Sequence, residues 1–213
     1  MNNNFVERER GNLFQLYQLD KYMVGHKGFI AGGCFKNLFN NERVKDLDIF
    51  FKNSTEHHEA VKWFTEHKDY VFSYRNEKVV AYKNIKTDVR VELINFIFGT
   101  AEEVISVFDF SITKFAFYKQ TIKDEVVGDS IEYKVLHEED FFEHLHMKRL
   151  VVEKEIKYPI STFERSLRYT KYGYGLCKES KANLLLAVAE YVANNKNSDI
   201  LSKLSLDLYN GID

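Results

Sequence analysis

Two aspartates alternate with large apolar residues in Lys45-Asp-Leu-Asp-Ile-Phe-Phe51, with twelve residues between Gly33 and Asp46. In a strand, side chains at i and i+2 share a face, so Asp46 and Asp48 point one way while Leu47 and Ile49 point into a core. Two neighbouring carboxylates repel each other unless a cation sits between them, and their hard oxygens suit a divalent metal such as Mg²⁺ or Mn²⁺. Upstream, Phe29-Ile-Ala-Gly-Gly-Cys-Phe-Lys36 is a short apolar run that meets a double glycine and a helix. Gly32 and Gly33 carry no Cβ, so their backbone can approach a phosphate, and the following helix turns its N–H groups and positive dipole end toward it. A phosphate cradle beside a metal-binding pair is the equipment of phosphoryl or nucleotidyl transfer.

The elements that must hold these residues read as alternating strands and helices. An opening helix is predicted up to about Val24, then a strand at 29–31, a helix at 35–39 and the Asp46–Phe51 strand. Ser54 and Thr55 are positioned to cap a helix running from Glu56 to about His67. Strands follow at 70–74 and 79–82 around an Arg75-Asn-Glu turn, and a longer one at 88–97. From Glu138 the pattern becomes helical. Pro159, the one proline, predicts a break between helices, and 181–194 is a further amphipathic helix. The expected organisation is a core over residues 1–137 with an N-terminal helix, and a helical C-terminal region over 138–213.

The order Ala31-Gly32-Gly33, spacer, Asp46-Leu47-Asp48-Ile49 resembles the nucleotidyltransferase superfamily that contains DNA polymerase beta, the poly(A) polymerases and the CCA-adding enzymes. Its pattern is an apolar residue, Gly, Gly or Ser, about ten residues, then Asp-apolar-Asp-apolar. The resemblance spans about residues 28–175 and is closest to the CCA-adding and bacterial poly(A) polymerase head. It implies an α+β fold: a mixed β-sheet with flanking helices, followed by a small helical region. It also implies Mg²⁺ or Mn²⁺ held by Asp46 and Asp48, a triphosphate bound at Gly32, Gly33 and Lys36, and an NTP (ATP included) as donor.

Three further stretches extend the resemblance. In Asp88-Val-Arg-Val-Glu-Leu-Ile94, Asp88, Arg90 and Glu92 alternate with apolar residues and share a strand face. Superfamily members place a third acidic residue on a strand beside the aspartate pair. Glu92 fits that form best as catalytic residue and metal ligand, with Asp88 second; the alternative is that Glu92 simply pairs with Arg90 or a lysine. Asp109-Phe-Ser111 resembles the family's Asp-Phe-Thr motif, which supports the nucleotide, although Thr113 stands where Asn is usual. Phe163–Tyr174 resembles the arginine-rich helix behind the catalytic head. Arg165 and Arg168 are three apart there and face the same way, as a bidentate grip on a triphosphate requires. From His146 to Lys181 there are nine Lys or Arg against four Glu, and tyrosines interleave with them as in base-stacking surfaces. The family's base-selecting Glu-Asp-x-x-Arg is missing, which argues against CCA addition itself.

Composition sets the outer limits. With 213 residues, 45% of them apolar, the chain can bury one sizeable core plus a small extension. A formal charge of −2 excludes a uniformly basic nucleic-acid binder but not a basic face. Cys34 and Cys177, the two cysteines, lack zinc-site spacing, and the paired histidines His57/His58 and His144/His146 do not converge on one helix face. The polar, charged N-terminus differs from a signal peptide, and no apolar stretch approaches a membrane span. The expectation is a cytoplasmic transferase whose acceptor is an RNA 3′ end, such as tRNA. The alternatives are a small-molecule or protein acceptor, in the manner of antibiotic-modifying enzymes or toxins, and an inactive nucleotide-binding regulator. No feature of the sequence fixes an oligomeric state.

Overall fold

A computed structural model describes residues 13–122, 128, 130–153 and 155–195. The chain divides into two compact units. One comprises residues up to Phe108 together with Thr113–His137; the other joins Asp109–Ile112 to the residues from Glu138 onward. The strip around Asp109 thus leaves the sheet to enter the second unit.

The first unit is a seven-stranded mixed sheet with flanking helices. Its strands are β1 (Phe29–Ala31), β2 (Asp46–Phe51), β3 (Tyr70–Arg75), β4 (Val79–Asn84), β5 (Arg90–Phe98), β6 (Phe115–Ile122) and β7 (Ser130–His137), in the order β3-β4-β5-β2-β1-β6-β7. The pairing of β2 with β5 is parallel; the other pairings are antiparallel. Leu47, Ile49, Val91 and Leu93, which alternate with the acidic residues on β2 and β5, are fully buried. Each contributes about 1.5–3 kcal/mol through burial. Helix α2 (Ser54–Glu66) packs on β2, β3 and β5, turning His57, Ala60 and Phe64 inward at helical spacing. Helices α1 (Cys34–Phe39) and α3 (Ala101–Ser106) complete the layer around β1, β2, β6 and β7.

The structure corrects several local expectations. The opening helix is a 3₁₀ helix over Gln15–Tyr22. The α2 cap is Asn53, whose side chain accepts from Glu56 N at 3.0 Å, so Ser54 is already helical. Helix α3, with a full capping box from Thr100 and Glu103, and the β6–β7 hairpin were not read from the sequence. Asp88 is not part of β5. It closes the β4–β5 turn in the left-handed region, φ 63°, with its N–H on Asn84 O at 2.9 Å.

The second unit holds α4 (Phe141–His146), α5 (Pro159–Lys171) and α6 (Lys178–Asn194), with α5 packed on α6. A two-residue parallel pair joins β8 (Arg149–Leu150) to β9 (Gly175–Leu176). Pro159 opens α5 instead of separating two helices, because a missing N–H costs nothing in the first helical turn. Among the described residues, no helix is long and apolar enough to cross a membrane.

Candidate active site

In the first unit, the parallel register sets Asp46 opposite Arg90 and Asp48 opposite Glu92. Register partners on adjacent strands share a face, so all four side chains rise from the side of the sheet opposite the buried Leu47, Ile49, Val91 and Leu93. Asp46 is exposed, Glu92 half-buried and Asp48 only 8% exposed. Burial, then the neighbouring Glu92 and Asp46, push the Asp48 carboxyl well above its usual range. Burial also raises Glu92, against the opposing pull of the Tyr74 hydroxyl and Arg90.

The cations and donors are unevenly shared. Arg90 Nε donates to Asp46 Oδ1 at 2.8 Å and lies 3.6 Å from Glu92 Oε1. Tyr74 donates its hydroxyl to Glu92 Oε1 at 2.8 Å, and the Arg90 guanidinium lies 5.9 Å from the Tyr74 ring centroid. The Asp48 carboxylate has no hydrogen-bond or ion-pair partner among the described residues. Asp88, the second candidate for a third carboxylate, is engaged elsewhere: Lys83 at 2.6 Å and Arg43 at 3.2 Å hold its carboxyl below the usual range. Tyr74 escaped sequence reading because its only signal is cross-strand. It lies on β3, joined to β5 through β4, where Ala81 pairs with both Tyr74 and Glu92.

The glycine turn adjoins this face. Gly32 sits at φ +97°, and a methyl there would stand 3.6 Å from Asp48 Oδ2 and 3.7 Å from Phe108. The left-handed backbone, more than crowding, makes glycine the fitting residue. Gly32 N–H donates to Phe115 O at 3.1 Å, so that donor is already used within the fold. Lys36 is buried, with Nζ 3.4 Å from Glu42.

The donor chemistry of the β2–β5 face fits a divalent cation. Three carboxylates offer hard oxygens, and the most buried one lacks any compensating charge. As they stand, they do not converge into a ligand set: no group of three or more His, Cys, Asp or Glu among the described residues is close enough to hold an ion.

In the second unit, Asp109 and Arg165 come together. Asp109 Oδ2 accepts from Thr162 Oγ1 at 2.8 Å, from Arg165 Nε at 2.9 Å and from Arg165 Nη2. Arg165 is thereby committed to Asp109, while Arg168, one turn on, is half-buried. Of the tyrosines interleaved with these basic residues, Tyr169 is buried against Phe110 and Tyr174, whereas Tyr172 is 58% exposed. Ser111 and His144 share a buried 2.8 Å hydrogen bond, which accounts for that histidine structurally.

Residues 7–148 match the family described as Gabija anti-defense 2 family protein. The chain belongs to this family. A relative, Gabija anti-defense 2 of Bacillus phage SPbetaL7, is 26% identical over 178 residues, which are 83% of this chain and 41% of that protein. Among solved structures, the Thermotoga maritima CCA-adding enzyme complexed with tRNA matches all of this chain and 49% of its own, at 13% identity and a TM-score of 0.56. A CCA-adding enzyme in complex with CTP matches 98% of this chain and 50% of its own, at 14% identity and a TM-score of 0.55. This Gabija anti-defense 2 family member therefore has the nucleotidyltransferase fold of the CCA-adding enzymes. It spans about half the length of the proteins it resembles.

Proposed function

We propose that this chain is a Mg²⁺- or Mn²⁺-dependent nucleotidyltransferase that moves a nucleoside monophosphate from an NTP to an acceptor hydroxyl, and that this transfer serves a phage anti-defence role. One observation carries the reading: the parallel β2–β5 register sets buried, unpartnered Asp48 beside Glu92 and Asp46, with the left-handed bend at Gly32 alongside. Divalent ions at such a site lower the pKa of an attacking hydroxyl and neutralise charge on the leaving pyrophosphate. Asp46 and Asp48 would hold the metal, and Glu92, positioned by Tyr74, would complete the acidic face. The backbone after Gly32 would receive the triphosphate. The acceptor we favour is an RNA 3′ end. Its support is the exposed Tyr172 beside Arg168 and Lys171, together with the tRNA with which the structurally similar Thermotoga maritima enzyme is complexed.

A second reading rests on Arg90. Its bond to Asp46 suits a nucleotide-binding regulator that does not turn over. Incubation with each labelled NTP, Mg²⁺ and host RNA, protein extract or small molecules separates the two and identifies donor and acceptor together. The Asp46→Asn and Asp48→Asn variants are expected to fold normally yet lose transfer by at least ~100-fold. Equal transfer by both variants and the parent removes the metal mechanism; tight NTP binding without transfer supports the regulator.

A further inference from the structure

We infer that Arg90 is a built-in, displaceable counter-cation of the acidic face, which competes with the divalent metal for Asp46 and thereby sets how tightly metal is held. The inference rests on the metal reading above and goes further by assigning a role to a residue that reading leaves without one.

The geometry carries it. Arg90 is the register partner of Asp46, and its Nε is bonded to Asp46 Oδ1 at 2.8 Å while lying 3.6 Å from Glu92 Oε1. One guanidinium thus neutralises two of the three carboxylates, and no other cation is found on those two among the described residues. A divalent ion bound to Asp46 sits about 2.0–2.1 Å from a carboxylate oxygen, which puts it against a guanidinium held on the same group. Two cations that close repel by several kcal/mol even at an effective dielectric of about 20. Metal therefore enters as Arg90 leaves.

Tyr74 gives the departing side chain a place to go. Its ring already lies 5.9 Å from the guanidinium, and its hydroxyl anchors Glu92 at 2.8 Å independently of Arg90. Cation–π contact with that ring retains the guanidinium near the site after the Asp46 bond is broken. Asp48, which Arg90 does not reach, stays available as the first carboxylate for an incoming ion. In the arrangement described the three carboxylates do not converge, and Asp46 is bonded to Arg90.

The test measures Mn²⁺ binding by electron paramagnetic resonance on the whole chain, with Mn²⁺ alone as probe. Arg90→Met, which keeps length and removes charge, should bind Mn²⁺ at least ~10-fold more tightly than the parent. Arg90→Lys should remain near the parent, and Asp48→Asn should lose binding. Unchanged or weaker affinity in Arg90→Met, with Mn²⁺ still bound by the parent, overturns the inference and leaves the metal reading standing. No Mn²⁺ binding by either the parent or Arg90→Met overturns both. A second measurement needs no variant that removes the charge. In the parent, saturating Mg²⁺ should shift the Arg90 Nε–H resonance, assigned by its disappearance in Arg90→Lys; a resonance that does not move overturns the inference.

Discussion

Asp48 and Glu92 are register partners across the one parallel pairing among the described strands of the sheet, and both carboxyls sit above their ordinary range, chiefly through burial. Sequence places them 44 positions apart. The sheet makes them neighbours, and much of what can be tested about this chain starts from that pairing.

The first prediction concerns stability and pH. In the unfolded chain these carboxyls titrate near about 3.9 for Asp and 4.3 for Glu. A raised folded value means the folded state holds its protons longer. The stabilisation is therefore complete below the unfolded values and is lost as pH rises through the folded ones. Melting temperatures in EDTA should fall from acid toward neutral pH. Asp48→Asn should flatten that slope, and saturating Mg²⁺ should flatten it in the parent. A slope that Asp48→Asn leaves unchanged assigns the pH dependence to other groups.

A second test separates the two candidates for the third carboxylate. Glu92→Gln should weaken Mn²⁺ binding by roughly 10–100-fold, the usual effect of losing a group that ligates or orients at a metal site. Asp88→Asn should leave it unchanged, because Asp88 lies in the β4–β5 turn on Lys83 and Arg43. Calorimetric titration of both variants checks this. The reverse order would move the third carboxylate to Asp88.

Much of the first unit was legible because its signal is local. The alternation in Asp46–Phe51 predicted the burial of Leu47 and Ile49, though not that of Asp48 and Phe50 on the other face, and the double glycine marked a bend that the backbone makes at positive φ. What escaped depended on partners distant in sequence. Asp88 continues the alternation of β5, yet the Asn84 turn folds it out of the strand. Arg165 has the spacing of an anion grip, but Asp109, 56 positions earlier, takes its guanidinium. Tyr169 has the same composition signal as Tyr172 and is buried only because α5 turns that side toward Phe110.

The third prediction follows from that commitment of Arg165. Arg165→Ala should act on stability, costing roughly 2–4 kcal/mol in denaturant titrations, because it strands the partly buried Asp109 carboxylate. Its effect on the NTP KM should be small. If α5 contacts RNA, changing Arg168 and Lys171 to Ala should weaken RNA binding and reduce its salt slope by about 0.7 per lost phosphate contact on single strands. Tyr172→Ala should weaken RNA binding by about 1–3 kcal/mol without changing that slope. A filter-binding series at several salt concentrations reads these RNA effects. Unchanged affinity and slope would leave a small molecule or protein as the acceptor.

The parallel pairing of β2 with β5 also bears on how the sheet closes. The β3–β4 hairpin closes a short loop, whereas α2 and that whole hairpin lie between β2 and β5 in the chain. Closing that long loop carries an entropic cost that local contacts do not offset. Glu92 joins Asp46 and Asp48 only through that pairing, which also sets Leu47 and Ile49 against Val91 and Leu93 on the other face of the same two strands. The contact that closes this part of the core therefore also completes the acidic face, so whatever loosens one loosens the other.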